Sequence, residues 1–366
     1  MKNLGIFKNS RVIVTGHTGF KGSWLTAWLK LLGAEVMGIS LDIPTHPSHY
    51  KVSNINKNIK DIRLDIRNKK QIEKKIISFK PNFLFHLAAQ SLVVTSYKKS
   101  SFTWETNLFG TLNILETLRK LNSSCTAVLV TSDKCYFNKE VRYGYKETDI
   151  LGGKDPYSAS KASAEILIKS YISSFFNNKF KIRIASARAG NVIGGGDWSD
   201  NRIVPDCIKS WSKGKQAELR NPNSTRPWQH VLEAVGAYLC LAINLKYNNK
   251  LHGESFNFGP SLSKENTVIE LVRAMGGHLN NFSWKNNKKF KKKFHESGLL
   301  RLNCSKAEKF LKWKSVLRFD EMIEMVASWY SNYYTNQEYI EQITEAQIME
   351  YQSLANQRGL NWAKIY

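Results

Sequence analysis

The sequence predicts an α/β fold, a doubly wound parallel sheet with a smaller mixed α/β lobe in the C-terminal half. Three observations carry this. Short buried-type strands alternate with helical segments through the first half of the chain. A glycine-rich turn, Gly16-His-Thr-Gly-Phe-Lys-Gly22, joins the first strand to the first helix, and the rhythm breaks after Arg188. Strand and helix alternate in this way when each parallel crossover returns through a helix that covers one face of the sheet.

The elements follow in order. Arg11-Val-Ile-Val-Thr15 is a β-branched run ending in the glycine turn, and residues 23–32 read as helix, stopped by Gly33. Strands are expected at 35–40 and 58–65, then a helix at 70–79 closed by Pro81. The apolar runs at 83–87 and 127–131 are buried strands separated by one long helix from about 100 to 121. A helix at 157–176 and a strand at 181–187 complete the series. Beyond the glycine-rich stretch Asn191-Val-Ile-Gly-Gly-Gly-Asp-Trp198 the elements shorten, with an isolated strand at 254–258 and an amphipathic helix at 319–334. Residues 336–366 have helical spacing but no chemical signature.

With 366 residues and 42% apolar content, the chain suits one large soluble domain plus a smaller one. No apolar run approaches the length of a membrane span. The first ten residues are too short and too polar for a secretory signal. The five cysteines (Cys125, Cys135, Cys207, Cys240, Cys304) have no metal-ligand spacing and read as reduced thiols of a cytoplasmic protein. The net charge of +24, from 54 basic and 30 acidic residues, is dispersed lysine rather than a nucleic-acid footprint. One dense run, Lys288-Lys-Phe-Lys-Lys-Lys293, reads as a solvated loop or edge. A basic surface also draws anionic ligands toward a cleft.

Gly16, Gly19 and Gly22 follow a strand and open a helix, the context a Rossmann-type dinucleotide site requires. Glycine allows the tight turn and a close backbone approach to a pyrophosphate at the positive end of the helix. A ribose-binding group is expected about 20 residues on; Asp42 fits the interval and Ser40 the strand end, and both stay open. No arginine stands there for a 2′-phosphate, which favours NAD over NADP. Asp65 and Ile66 are placed to hold the adenine, and Leu87, Ala88 and Ala89 are small enough for a cofactor to pass closely.

The second device is Asp155-Pro-Tyr-Ser-Ala-Ser-Lys161, which sets Tyr157 and Lys161 four residues apart on one helical face. A neighbouring ammonium favours a phenolate. Bringing a phenol from about 10 to neutrality takes roughly 3 units, or about 4 kcal/mol. Such a phenolate is a general base for a sugar or alcohol hydroxyl.

Taken together these stretches resemble the extended short-chain dehydrogenase/reductase family and, more narrowly, the bacterial CDP-glucose 4,6-dehydratases. The most specific blocks are Thr15-Gly-His-Thr-Gly-Phe-Lys-Gly-Ser-Trp24, Phe85-His-Leu-Ala-Ala-Gln90, Thr131-Ser-Asp-Lys-Cys-Tyr136, the run from Ser186 to Trp198, Arg226-Pro-Trp-Gln-His-Val231 and Asn303-Cys-Ser-Lys-Ala307. The resemblance implies an NAD-binding domain over 1–188 with later segments returning to it, a nucleotide-sugar lobe mainly over 189–335, and a helical tail over 336–366. It implies that Tyr157, with Lys161, takes the sugar 4-hydroxyl proton while hydride passes from C4 to NAD; water then leaves across C5 and C6, and the hydride returns to C6. Ser132 would hydrogen-bond the 4-oxygen, Asp133 would protonate the departing 6-hydroxyl, and Lys134 would stand where other sugar-nucleotide dehydratases carry glutamate. Burial would keep Asp133 protonated and Lys134 partly neutral.

Thr18, Phe20, Lys21, Gln90 and Thr106 join the implied cofactor contacts, with His17 as a packing or cofactor-edge residue. Asn191 and Arg226 match diphosphate-gripping positions, and Arg202 and Arg301 are further candidates for the substrate. Leu299, where a tyrosine is common, and the lysine-rich insert before His295 depart from the family pattern. Relatives pair through two helices, so a homodimer or homotetramer is expected, with no metal, nucleic acid or membrane partner.

Overall fold

The computed structural model describes residues 2–141, 143–176, 181–219, 221–261, 266–279, 282–286 and 299–365. Strands β1 (Arg11–Thr15), β2 (Glu35–Ser40), β3 (Lys60–Arg63), β4 (Phe83–His86), β5 (Cys125–Val130), β6 (Ile182–Ala189) and β7 (Ser255–Phe258) form one sheet in the order β7-β6-β5-β4-β1-β2-β3. Every pairing is parallel. β4 and β5 are buried along their whole length, so they read as unbroken apolar runs rather than as alternation.

Seven helices matter here: α1 (Phe20–Leu31), α2 (Lys69–Phe79), α3 (Gly110–Lys120), α4 (Pro156–Phe175), α5 (Val231–Tyr247), α6 (Phe319–Thr335) and α7 (Ile340–Gln357). Side chains of alternate strand residues separate into two cores, as the period of a strand demands. Val12, Val14, Val128 and Val130 pack with Trp24 and Trp28 of α1 and the apolar α5. Ile13, Leu84, Ala127 and Leu129 pack with Ile72 and Ile76 of α2, Ile114 and Leu118 of α3 and Ile168 of α4.

Two expectations need correction. The long helix before β5 is not regular. A turn of wider pitch at Glu105–Phe109 separates the short helix Ser100–Trp104 from α3, and such bulges cluster at functional sites. The strand expected to stand alone in the second lobe, β7, is the edge strand of the main sheet beside β6, and α5 packs on β5 and β6. Pairing across 60 or more residues of sequence is invisible to local pattern. What remains of the second lobe includes three two-stranded pairs: Val192–Ile193 with Gln229–His230, Thr225–Arg226 with Asn266–Thr267, and Ala217–Leu219 with Trp284–Asn286. The Lys288 to Lys293 run lies outside the described residues.

The chain leaves β1 toward β2 on one side and leaves β4 toward β5 on the other, so the sheet reverses direction between β1 and β4. In open α/β sheets, ligands bind in the crevice beyond the carboxyl ends of the strands at this point. His86 clamps the junction, bridging Thr15 Oγ1 (2.8 Å) on β1 and Thr111 Oγ1 (3.1 Å) on α3.

The last thirty or so residues are strapped down rather than trailing. α7 packs on α1 and α6, and the backbone N–H of Leu4 donates to the Lys364 carbonyl (2.9 Å). Glu233 of α5 anchors the approach. Its Oε1 accepts from the N–H groups of Val316 (2.7 Å) and Leu317 (2.6 Å) and from Ser315 Oγ (3.1 Å), and its Oε2 accepts from the Tyr351 hydroxyl (2.8 Å). Glu233→Ala strands these buried donors, each at about 1–3 kcal/mol. The variant should unfold at a lower urea midpoint and release its C-terminal segment to limited proteolysis. An unchanged midpoint would contradict the anchoring role.

Candidate active site

The glycine turn is dictated by contact. Gly16 takes φ +79°, and a Cβ there would lie 2.7 Å from the Ala88 nitrogen. A Cβ on Gly22 would lie 2.0 Å from the Gly16 carbonyl oxygen, so α1 meets the turn backbone to backbone. Gly19 is the N-cap of α1, and no side chain caps the first turn. This cradle suits a pyrophosphate.

Around it, Ser40 ends β2, but its hydroxyl is committed to His17 Nδ1 (2.8 Å) and the Thr18 N–H (3.3 Å). His17 continues to Asp61 (2.9 Å), fully buried, and burial lowers its pKa despite that carboxylate. Asp42 is exposed two residues further on, and its backbone carbonyl accepts from Thr18 Oγ1 (2.5 Å).

Of the other expected cofactor positions, Asp65 is gripped by the Arg67 guanidinium (2.7 Å) and Ile66 is packed against Gly110. Leu87 and Ala88 abut Gly16, and Ala89 follows at half-burial. Gln90 is a strut: its amide bonds the Leu92 N–H (2.6 Å) and Thr103 Oγ1 (2.9 Å), and its own N–H donates to Asn107 (2.8 Å). The Thr106 hydroxyl, in the wide helical turn, is buried with no hydrogen-bond partner among the described residues.

The catalytic candidates arrive from two elements. Ser132, Asp133 and Lys134 lie on a single tight turn after β5, with Ser132 Oγ accepting from the Lys134 N–H (3.2 Å) and donating to Asp133 Oδ1 (2.9 Å). Tyr157 and Lys161 lie in the first turns of α4, which Asp155 caps by accepting from the Ser158 N–H (2.9 Å), with Pro156 in the first turn. α4 packs on that turn, and Ser132 and Asp133 both act on the Tyr157 phenol, so the two elements meet at one buried cluster. Ser132, Asp133, Tyr157 and Lys161 are buried, and Lys134 is half-buried.

Burial reverses one expectation. Lys161 was expected to lower the Tyr157 phenol, yet the phenol is pushed up to about 12, by burial first; Ser132 and Arg202 oppose this and Asp133 reinforces it. The Lys161 ammonium is turned to the Val130 carbonyl (3.4 Å) and is itself brought down to about 8 by burial and by Lys21. Asp133 moves as expected: burial raises its carboxyl against the pull of Lys134, Ser132 and Lys21.

Lys21, expected at the cofactor, has its ammonium at the Tyr238 hydroxyl (3.4 Å), within electrostatic reach of Asp133 and Arg202. Burial holds it at about 8. Tyr238 was not singled out in the sequence; its signal was a hydroxyl within the apolar middle of α5. Arg202 reaches the same cluster, held by Asp197 (2.8 Å) and acting on the Tyr157 phenol. Gly190 borders it too, since a Cβ there would lie 3.2 Å from Asp133 Oδ2. Asn191 follows, its carbonyl accepting from the Gln229 N–H (3.0 Å). Arg226 and Arg301 stand further into the second lobe, on the short strand with Asn266–Thr267 and beside Tyr145 respectively.

The fold and this constellation define a dinucleotide-dependent enzyme class of the α/β type, with Tyr157 and Lys161 brought by α4 against the Ser132-Asp133-Lys134 turn. A sequence profile for the GDP-mannose 4,6 dehydratase family matches residues 13–326. The chain belongs to that family. It is 40% identical to the CDP-glucose 4,6-dehydratase of Salmonella typhimurium, over 90% of this chain and 93% of that one. It is 27% identical to the CDP-paratose 2-epimerase of Salmonella typhi, over 74% and 85%. The fold matches an epimerase from Methanothermobacter thermautotrophicus with a TM-score of 0.77 (20% identity, 91% and 96% covered). It also matches dTDP-glucose 4,6-dehydratase from Bacillus anthracis in complex with NAD, with a TM-score of 0.71 (20% identity, 91% and 99% covered).

Gly22→Ala drives a methyl into the Gly16 carbonyl and should open the turn. Dinucleotide binding by calorimetry is expected to fall at least tenfold (about 1.4 kcal/mol); binding at the wild-type level would overturn this reading of the turn.

Proposed function

We propose that this chain is an NAD-dependent CDP-glucose 4,6-dehydratase, converting CDP-D-glucose to CDP-4-dehydro-6-deoxy-D-glucose and water, for deoxysugar and surface-polysaccharide synthesis. The observation that carries the reading is the buried cluster of Tyr157, Ser132 and Asp133 beside Lys134, where α4 packs on the turn after β5, in a chain so similar to a CDP-glucose 4,6-dehydratase.

The residues present fit the cofactor. Gly16, Gly19 and Gly22 would take the pyrophosphate, the exposed Asp42 the ribose hydroxyls, and the unpartnered Thr106 hydroxyl a polar atom of the bound molecule. Asp65 and Ile66 would hold the adenine, and Leu87, Ala88 and Ala89 would let the cofactor pass closely. Held there, NAD would supply the hydride acceptor for C4 and the hydride donor for C6.

The protein moves the protons. Tyr157 takes the 4-hydroxyl proton, with Ser132 holding the 4-oxygen. The phenolate this requires is opposed by burial and by a charged Asp133 and favoured by Ser132 and Arg202. A proton on Asp133 removes one of the opposing terms, so the neutral acid and the ionised phenol favour each other. Asp133 then protonates the departing 6-hydroxyl, and Lys134 removes the proton at C5, which the 4-keto group has made acidic. Arg202, already at the phenol, and Asn191, Arg226 and Arg301 serve the diphosphate and nucleotide; arginine suits forked phosphate contacts.

Purified protein given CDP-glucose without added reductant should form the 4-keto-6-deoxy product, seen by its absorbance in alkali. A panel of CDP-, UDP-, dTDP- and GDP-sugars tests the base, and no turnover with any of them would end this reading. Asp133→Asn should slow elimination by about 10²-fold or more while C4 oxidation persists, so reduced nicotinamide accumulates. Equal loss of both steps would contradict the role given to Asp133.

The protein is further proposed to work as a homodimer or a pair of dimers in the cytoplasm. Phe109, just before α3, is 53% exposed and Ile166 of α4 is 58% exposed, on the two helices expected to pair. All five cysteines are free, and no described helix is long and apolar enough to cross a membrane. Sedimentation at micromolar concentration should show a dimer or larger; monomer alone would refute the pairing.

A further inference from the structure

We infer that Glu165 is a positioning residue for the reaction: its carboxylate ties the catalytic helix to the turn bearing Ser132 and Asp133 and is the counter-charge that keeps Lys161 a cation. This rests on the role proposed above for Tyr157 and on the part the family resemblance implies for Lys161.

Tyr157, Lys161 and Glu165 recur at intervals of four along α4 and share one face. A carboxylate on that face, 3% exposed, is out of place unless every lone pair is answered. Oε1 accepts from Thr131 Oγ1 (2.5 Å), the residue immediately before Ser132. Oε2 accepts from the Arg188 guanidinium (2.7 Å), Ser186 Oγ (3.0 Å) and Ser255 Oγ (3.1 Å). Glu165 therefore grips the ends of both strands that deliver the site: β5, which leads to Ser132 and Asp133, and β6, which leads through Arg188 to Gly190 beside Asp133.

The groups facing Lys161 come from four elements: Lys21 of α1, His86 of β4, Cys135 of the catalytic turn, and Glu165 of its own helix. Lys21 disfavours the ammonium, as burial does, whereas Glu165 favours it. Burial works against ionised Glu165, but Arg188 of β6, with the hydrogen bonds from Thr131 and Ser186, holds its carboxyl below the usual range, so the counter-charge is present at neutral pH. The carboxylate pair with Arg188 alone would serve packing. The link to Thr131 and the placement one turn beyond Lys161 are what a purely structural ion pair does not need.

The test compares wild type, Glu165→Gln and Glu165→Asp. Lys161, at about 8, should set the alkaline limb of CDP-glucose turnover, because the cation is lost as pH rises through that value. Glu165→Gln should move this limb about one unit lower, while Glu165→Asp, still charged, should keep the limb and lose only turnover. A folded Glu165→Gln variant with an unmoved limb would overturn the inference. A readout free of substrate is a melting cycle: the drops in melting temperature of Glu165→Gln and Lys161→Met should sum to more than the drop of the double variant. Strict additivity would overturn the inference as well. Should Glu165→Gln not fold, Thr131→Val, which removes only the hydroxyl bond, should lower kcat with KM unchanged; unaltered kcat would count against it. Failure of the wild type to turn over any nucleotide sugar would sink the functional reading and leave the melting cycle to decide this one.

Discussion

A single buried ion pair underlies the arrangement of this protein: Glu165 on the catalytic helix against Arg188 on β6, 2.7 Å apart with both side chains almost wholly out of water. Taking two charges from water costs several kcal/mol each, and their attraction repays this only if the remaining hydrogen-bonding groups are satisfied. The surroundings meet most of that demand, although the Arg188 Nε is buried without a partner among the described residues. Thr131, Ser186 and Ser255 turn hydroxyls to the carboxylate. Arg188 donates to the Tyr136 hydroxyl (2.8 Å), which donates to Asn257 (2.7 Å), whose amide donates to the Tyr145 carbonyl (2.8 Å). One polar seam thus joins α4, β5, β6, β7 and the loop of the catalytic turn, and it decides where the helix lies against the sheet.

Above that seam, burial drives four groups toward their neutral forms. The Tyr157 phenol and the Asp133 carboxyl rise, while Lys161 and Lys21 fall to about 8. The Asp133 carboxyl and the two lysines are thereby brought toward one another, while the Tyr157 phenol and Lys161, close in water, are driven apart. The cost is that no single neighbour activates Tyr157. Its state depends on Ser132, Asp133 and Arg202 together.

The cofactor cradle follows a different logic, of space rather than charge. Gly16 and Gly22 are glycine because backbone atoms of residues 88 and 16 occupy the volume a side chain would need. His17, Ser40 and Asp61 then lock the turn to the ends of β2 and β3. The same economy recurs at Gly190, where the missing side chain leaves Asp133 room.

The sequence by itself determined the alternation of strands and helices, the glycine turn, the pairing of Tyr157 with Lys161 and the Ser132-Asp133-Lys134 turn. Each of these is local: period, φ requirement and four-residue spacing are properties of neighbours along the chain. Only the tertiary structure decided that β7 returns to the sheet, that the tail is strapped across α1, that Lys21 and Tyr238 meet at Asp133, and that Tyr157 and Ser132 are buried together. It also reversed the direction of the phenol's shift. Those outcomes depend on which distant residues exclude water from a given atom, and solvent exclusion is a sum over the whole fold that no window of sequence contains.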